Sequence, residues 1–210
     1  MNVAKWLAIF GLGLAAGCGG GDDGMATPED FGGNNPDVIV ALGDSITAGV
    51  DGGGTPWPAR LATLSGKTVV NAGVGGEESG GGANRIGSLL RARKPGYILI
   101  FYGANDAIMQ HDIDRTLNNI RGMVAAAKAN KTAPVLATLL PMVGEHVIYN
   151  SAAVRISTGI RQIGGEEGVP VVDLAGEFGD PQNQLLPDGL HPNDLGNQII
   201  ALAFADALPH

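Results

Sequence analysis

The chain of 210 residues has a single cysteine, Cys18, so no internal disulfide can form. Aromatic residues make up 5% of it and there are two tryptophans, one of them in the first 18 residues, so the sequence does not advertise a platform for stacking sugars. Basic charge is scarce: 13 Lys and Arg stand against 21 Asp and Glu, for a formal charge of -8. No basic stripe exists to neutralise phosphates, so nucleic acid is excluded as the expected partner. The apolar run near the N terminus is too short for a transmembrane helix. Glycine, by contrast, is abundant: 34 residues, many at turns that follow apolar runs, where positive φ or close backbone approach is needed. The length suits one sizeable core.

Residues 1–18, "MNVAKWLAIFGLGLAAGC", have the layout of a processing signal: one Lys, an apolar run, then small residues. Ala15-Ala16-Gly17-Cys18 resembles a bacterial lipobox, in which cleavage precedes the cysteine and its sulfur takes a diacylglycerol; Leu14 lies one residue earlier than the usual Leu. The expectation is a lipoprotein of the bacterial cell envelope, attached to the membrane through Cys18, with an ordinary secretory signal as the alternative. Residues 19–36, "GGGDDGMATPEDFGGNNP", offer little to bury and are expected to form a flexible tether spanning about 25 Å. The folded domain is then 37–210.

Within it, five apolar runs begin at residues 38, 68, 97, 134 and 169, each short, rich in β-branched residues and nearly continuous. Such runs suit strands covered on both faces. Segments with helical character, 57–65, 83–93, 113–130, 149–164 and 193–207, alternate with them. The predicted architecture is α/β, a three-layer α/β/α sandwich around a five-stranded parallel sheet. Sites in such sheets form beyond the carboxyl ends of the strands, and Ser45, Gly73 to Gly76 and Gly103 to Asp106 all follow strands.

Ser45, in "GDSITAG", could simply cap a helix. The C-terminal "DGLHPND" changes the balance: Asp188 and His191 stand three apart in a Gly/Pro loop, where a turn can aim the carboxylate at the imidazole. The bland alternative is a surface turn whose histidine caps the last helix. Four blocks, "GDSITAG", "NAGVGGEESGGG", "YGANDA" and "DGLHPND", are similar to those of the GDSL esterases and lipases, also called SGNH hydrolases, and the likeness extends over nearly the whole domain. The segment "AGVDGGGTPWPARLATL" resembles bacterial arylesterases of the thioesterase/lysophospholipase type. The resemblance implies a flavodoxin-like SGNH fold and a serine esterase. It makes Ser45 the nucleophile, His191 the general base and Asp188 its partner, with an oxyanion hole from the Ser45 N–H, the Gly76 N–H and the Asn105 side chain. The Gly75-Gly76 run allows a shift of one, and alignment of Asn71 and Ser79 selects Gly76. Ile46 and Ala104 depart from the commoner Leu and Gly. No "G-x-S-x-G" elbow is present, which argues against an ordinary α/β-hydrolase.

The chemistry needs these residue types. A serine hydroxyl becomes nucleophilic when a neighbouring imidazole takes its proton, and a carboxylate fixes the tautomer of that imidazole. Glycine at position 76 is expected because a side chain there would obstruct the substrate. Trp57, Met109, Leu140, Met142 and Leu186 lie on segments that could reach the same rim and are candidates for an acyl or alcohol pocket, with ordinary core as the alternative. Glu77-Glu78 and His111-Asp112 are expected to be solvated. No cofactor is implied, and His111, His146 and His210 form no ligand cluster for a metal. The expected substrate is a small-molecule or lipid ester, with short-to-medium acyl or aryl esters first and lysophospholipid, thioester or acetylated polysaccharide as alternatives. A non-catalytic envelope lipoprotein would carry a broken triad, and a nucleotide-binding protein a phosphate-loop spacing; neither is present.

Overall fold

The computed structural model describes residues 30–50 and 53–209. The processing signal, Cys18 and most of the expected tether lie outside the described residues, as does His210. In chain order the elements are β1 (Asn35–Gly43), α1 (Ser45–Ala48), α2 (Trp57–Ser65), β2 (Thr68–Gly73), α3 (Ser79–Arg93), β3 (Pro95–Phe101), α4 (Ala104–Ile108), α5 (Ile113–Ala129), β4 (Ala133–Ala137), a 3-10 turn (Gly144–Tyr149), α6 (Asn150–Glu167), β5 (Val171–Val172), α7 (Leu174–Glu177), α8 (Pro181–Gln184) and α9 (Asp194–Asp206). The strands pair in parallel in the order β2-β1-β3-β4-β5. Right-handed crossovers place α2 and α9, which pack on each other, on one face, and α3, α5 and α6 on the other. The expected α/β sandwich is therefore the observed one.

The core sits where both helix layers meet the central strands. Ile39 to Leu42 on β1 and Ile98 to Phe101 on β3 are buried throughout, which is why these strands are continuous apolar runs rather than alternating ones. β4 stops at Ala137 although its apolar run continues to Leu140. Past the strand, the Leu139 N–H donates to Ser157 Oγ and the Met142 N–H to Asn150 Oδ1, so side chains of α6 replace the sheet ladder while Leu139 and Leu140 stay buried.

Residues 30–36 correct the expected tether. Phe31 packs edge-on against Tyr97 at 5.2 Å, Asn34 Nδ2 donates to the Asn130 carbonyl at 2.6 Å, and β1 begins at Asn35. One aromatic residue and one amide among the glycines are enough to dock this segment at the amino end of the sheet.

Trp57, a candidate pocket residue, belongs to the core. It is fully buried, its ring stacks on Phe204 of α9 at 4.7 Å, and its indole N–H has no partner among the described residues. Trp57→Ala should lower unfolding stability by about 3–5 kcal/mol in urea titrations. Trp57→Phe, which keeps the stacking and removes the orphan donor, should cost less than about 1.5 kcal/mol. Equal losses in the two variants would contradict a packing role for the ring.

Candidate active site

The carboxyl ends of β1, β2 and β3 lie at one level. Gly43 is the register partner of both Gly73 and Phe101, so Ser45, Gly76 and Asn105, two, three and four residues further on, emerge from one rim. Immediately after β1 the chain turns into the single-turn helix α1, which folds back over the strand ends. The missing side chains permit this: a Cβ on Gly43 would lie 2.1 Å from Thr47 Oγ1, and one on Gly73 would lie 2.1 Å from the Ala48 nitrogen.

Asp44, not Ser45, caps this helix, its Oδ1 accepting the Ile46 N–H at 3.0 Å. The Ser45 hydroxyl is thereby left for another partner, and it meets His191, Oγ lying 2.9 Å from Nε2. The Asp188 carboxylate accepts from His191 Nδ1 at 2.6 Å. His191 does not cap α9 either, because Asn193 Oδ1 accepts the Gly196 N–H. Both bland alternatives fail for the same reason, since another side chain fills each cap.

The loop carrying Asp188 and His191 is closed on itself. Asp188 Oδ1 accepts the Leu190 and His191 N–H groups at 2.9 and 3.0 Å, and the Leu186 N–H donates to the His191 carbonyl. Burial opposes ionisation of Asp188, yet the Leu190 N–H, the His191 side chain and the His191 N–H together outweigh it and hold the carboxyl below its usual range. From outside the loop, His146 Nδ1 donates to the Asp188 carbonyl at 2.8 Å and the Val143 N–H donates to that of Gly189.

Gly76 has φ +72° in the turn closed by the Glu77 N–H and the Val74 carbonyl. A Cβ there would meet nothing within 4 Å. The positive φ adds a backbone reason for glycine here, beside the space left open in front of it among the described residues. Asn105 is partly buried in the first turn of α4, and its Nδ2 donates to the Glu77 carbonyl at 3.0 Å and lies 3.5 Å from Asp44 Oδ2. Ala104 opens that helix, while the positive φ falls on Gly103, so the alanine meets no strain.

Other candidates separate. Leu140 and Met142 are buried in the core, Met109 stands 61% exposed at the end of α4, and Leu186 is partly buried. Only Met109 and Leu186 retain the access a pocket needs. Among the described residues no group of His, Cys, Asp or Glu could hold a metal ion. Glu77 is not solvated: its carboxylate is bound by Arg85 and by Tyr102 Oη. His111 Nε2 is 2.8 Å from Glu78 Oε2, so neither of these side chains is free in solvent. Neither motif nor spacing singles out Arg85 or His146, and Tyr102 opens the block "YGANDA" with no role assigned to it there.

The profile of the GDSL-like Lipase/Acylhydrolase family matches residues 41–199. The chain belongs to that family. This GDSL hydrolase is 29% identical over 170 residues to the thioesterase 1/protease 1/lysophospholipase L1 of Escherichia coli, covering 79% of the chain and 80% of the relative. It is 25% identical over 146 residues to the uncharacterized lipoprotein YqeF of Bacillus subtilis, covering 59% and 60%. A solved structure of a putative lipolytic protein of the G-D-S-L family from Desulfitobacterium hafniense superposes with a TM-score of 0.73 at 27% identity, over 82% of this chain and 99% of that one. Membership makes the chain a carboxylic ester hydrolase.

The two carboxylates around this GDSL hydrolase's serine are set apart by environment. Burial raises the Asp44 carboxyl to about 7, against the pull of the Ile46 N–H and His191, with the nearby Asp106 charge adding to the rise. An unfolded Asp titrates near 3.9, so between about pH 4 and 7 the native state holds a proton that the unfolded chain has released. That stabilisation is complete below the unfolded pKa and is lost as pH rises through the native one. Asp44→Asn keeps an oxygen acceptor for Ile46 and should remove the slope, gaining on the parent by up to about 4 kcal/mol between pH 4 and pH 8. Urea midpoints measured across that range check this; parallel curves for parent and variant would refute a titrating Asp44.

Proposed function

We propose that the chain is a serine esterase acting on short-to-medium acyl or aryl esters through an acyl-enzyme. The observation that carries the reading is the Ser45 Oγ to His191 Nε2 contact of 2.9 Å, with Asp188 on the far nitrogen at 2.6 Å. With Nδ1–H donating to Asp188, Nε2 carries the lone pair and can take the Ser45 proton as Oγ attacks the ester carbonyl. His191, now charged, returns that proton to the leaving alcohol; water then repeats the sequence on the acyl group. The carboxylate of Asp188, held ionised by its donors, stabilises the imidazolium at both stages.

Negative charge on the former carbonyl oxygen would be met by the N–H groups of Ser45 and Gly76 and by Asn105 Nδ2. One Asn105 proton is committed to the Glu77 carbonyl, and the other, with only a 3.5 Å contact to Asp44, remains for the oxyanion. Val50, Val74 and Met109, all exposed, follow α1, β2 and α4 and provide apolar surface for an acyl group. A thioester or lysophospholipid substrate is the second reading, supported by the name of the E. coli relative. Attachment through Cys18 in the cell envelope is likewise proposed, on the lipobox-like residues and the lipoprotein relative.

Hydrolysis of p-nitrophenyl acetate, butyrate and octanoate tests the assignment. Ser45→Ala should abolish turnover of whichever esters the parent accepts while leaving the fold intact by circular dichroism; undiminished turnover would remove Ser45 from the mechanism. Asn105→Ala should lower kcat by roughly a hundredfold or more, about 2.7–4 kcal/mol of barrier. An acyl-CoA and a lysophospholipid assayed beside the esters rank the two substrate readings by kcat/KM.

A further inference from the structure

We propose that Arg85 is the positioning residue of the oxyanion hole, one guanidinium fastening together the three loops that supply its donors. The inference rests on the triad and oxyanion reading above. Arg85 projects from α3 with its side chain 23% exposed. Its Nη2 donates to the Ala72 carbonyl at 2.6 Å and the Gly43 carbonyl at 3.3 Å, the ends of β2 and β1. Tyr102 Oη, on the residue after β3, lies 2.7 Å from the same nitrogen, whose two N–H groups are shared among the three oxygens. Its Nε donates to both Glu77 oxygens at 3.0 and 2.9 Å, and Tyr102 Oη in turn donates to Glu77.

Every oxyanion donor is thus close in sequence to a group this network holds. Gly43 is two residues before Ser45, Glu77 follows Gly76, and Tyr102 is three residues before Asn105. Glu77 closes the circuit through its backbone, since its carbonyl accepts from Asn105. Of the two strand-end carbonyls, that of Gly43 also accepts the Val74 N–H at 3.0 Å, so the guanidinium is a second donor to it and one side chain ties it to the Ala72 carbonyl. A planar fork with donors in fixed directions can hold two carbonyls and a carboxylate at once, whereas an ammonium supplies a point charge only.

Gly82 gives independent support. A Cβ there would lie 2.4 Å from Tyr102 Cε2, so a bare helix surface lets the tyrosine ring lie against α3 and bring its hydroxyl to Arg85 and Glu77. Burial, and then the Glu77 contact, raise the Tyr102 pKa, which keeps the hydroxyl a donor.

The test is a double-mutant cycle in the full chain with the best p-nitrophenyl ester as probe. Arg85→Lys should lower kcat about 10- to 100-fold with KM within about twofold of the parent, because the ester is bound before charge develops on its oxygen. In the R85K background, Asn105→Ala should cost less than about tenfold, against about a hundredfold in the parent. Tyr102→Phe, which keeps the ring, should show the same split in milder form and decides the matter if Arg85→Lys does not fold. Full kcat in R85K, or an undiminished Asn105→Ala penalty in R85K or in Y102F, would overturn the proposal. A parent as inactive as Ser45→Ala would instead bring down the esterase reading itself, so the two failures are distinguishable.

Discussion

Everything at the site depends on the absence of two side chains. Because Gly43 and Gly73 carry no Cβ, α1 folds directly down on the ends of β1 and β2, and the chain places a hydroxyl at the rim two residues after leaving the sheet. A methyl group on Gly73 would meet the Ala48 backbone at 2.1 Å, and one on Gly43 would meet Thr47 Oγ1 at 2.1 Å and the Phe101 carbonyl at 2.8 Å, so relief would require lifting α1 and, at Gly43, shifting β3 as well. Lifting α1 would carry Ser45 away from His191, whose loop is independently tied to the 3-10 turn through Val143 and His146. The serine and the imidazole therefore belong to two separately braced bodies, and the 2.9 Å between them is set by how closely the first can settle on the sheet.

The acidic residues near the serine divide by their burial and by the hydrogen-bond donors they receive. Asp188 lies in an open loop turn where two backbone N–H groups and an imidazole face it, and its charge is favoured. Asp44 is driven toward its neutral form by its burial under α1, with the Asp106 charge adding to this, and its backbone donors do not outweigh them. Asp106 is bound by the Ser79 N–H, the Ser79 hydroxyl and Thr116, which links α4 to the start of α3 and to α5. One carboxylate serves the imidazole, one caps the nucleophile's helix, and one joins the elements that carry Asn105. Environment assigns these tasks more strongly than residue type does.

What sequence can disclose about such a molecule follows from the range of the interaction involved. α2 over 57–65 and β2 over 68–73 are legible to the residue, because apolar periodicity and the glycines that end them are local signals. The Asp188–His191 turn is legible for the same reason. Arg85 is not: its partners lie 8, 13, 17 and 42 residues away, and nothing in "GANRIGSLL" marks a charged residue that turns inward. Trp57 misleads in the opposite direction, because an aromatic near the rim in sequence is drawn into the core by Phe204, 147 positions on. The Gly-rich stretch before β1 also misleads at its end, where composition suggests an unattached chain but Phe31 reaches Tyr97.

That last contact bears on orientation. Phe31 and Asn34 are fastened at the amino end of the sheet, whereas Ser45 follows its carboxyl end. The nine residues of β1 lie between, a rise of about 30 Å at roughly 3.3 Å per residue. A chain attached to a membrane through Cys18 would enter the domain from the side opposite the serine, and the rim bearing Ser45 would face away from the attachment.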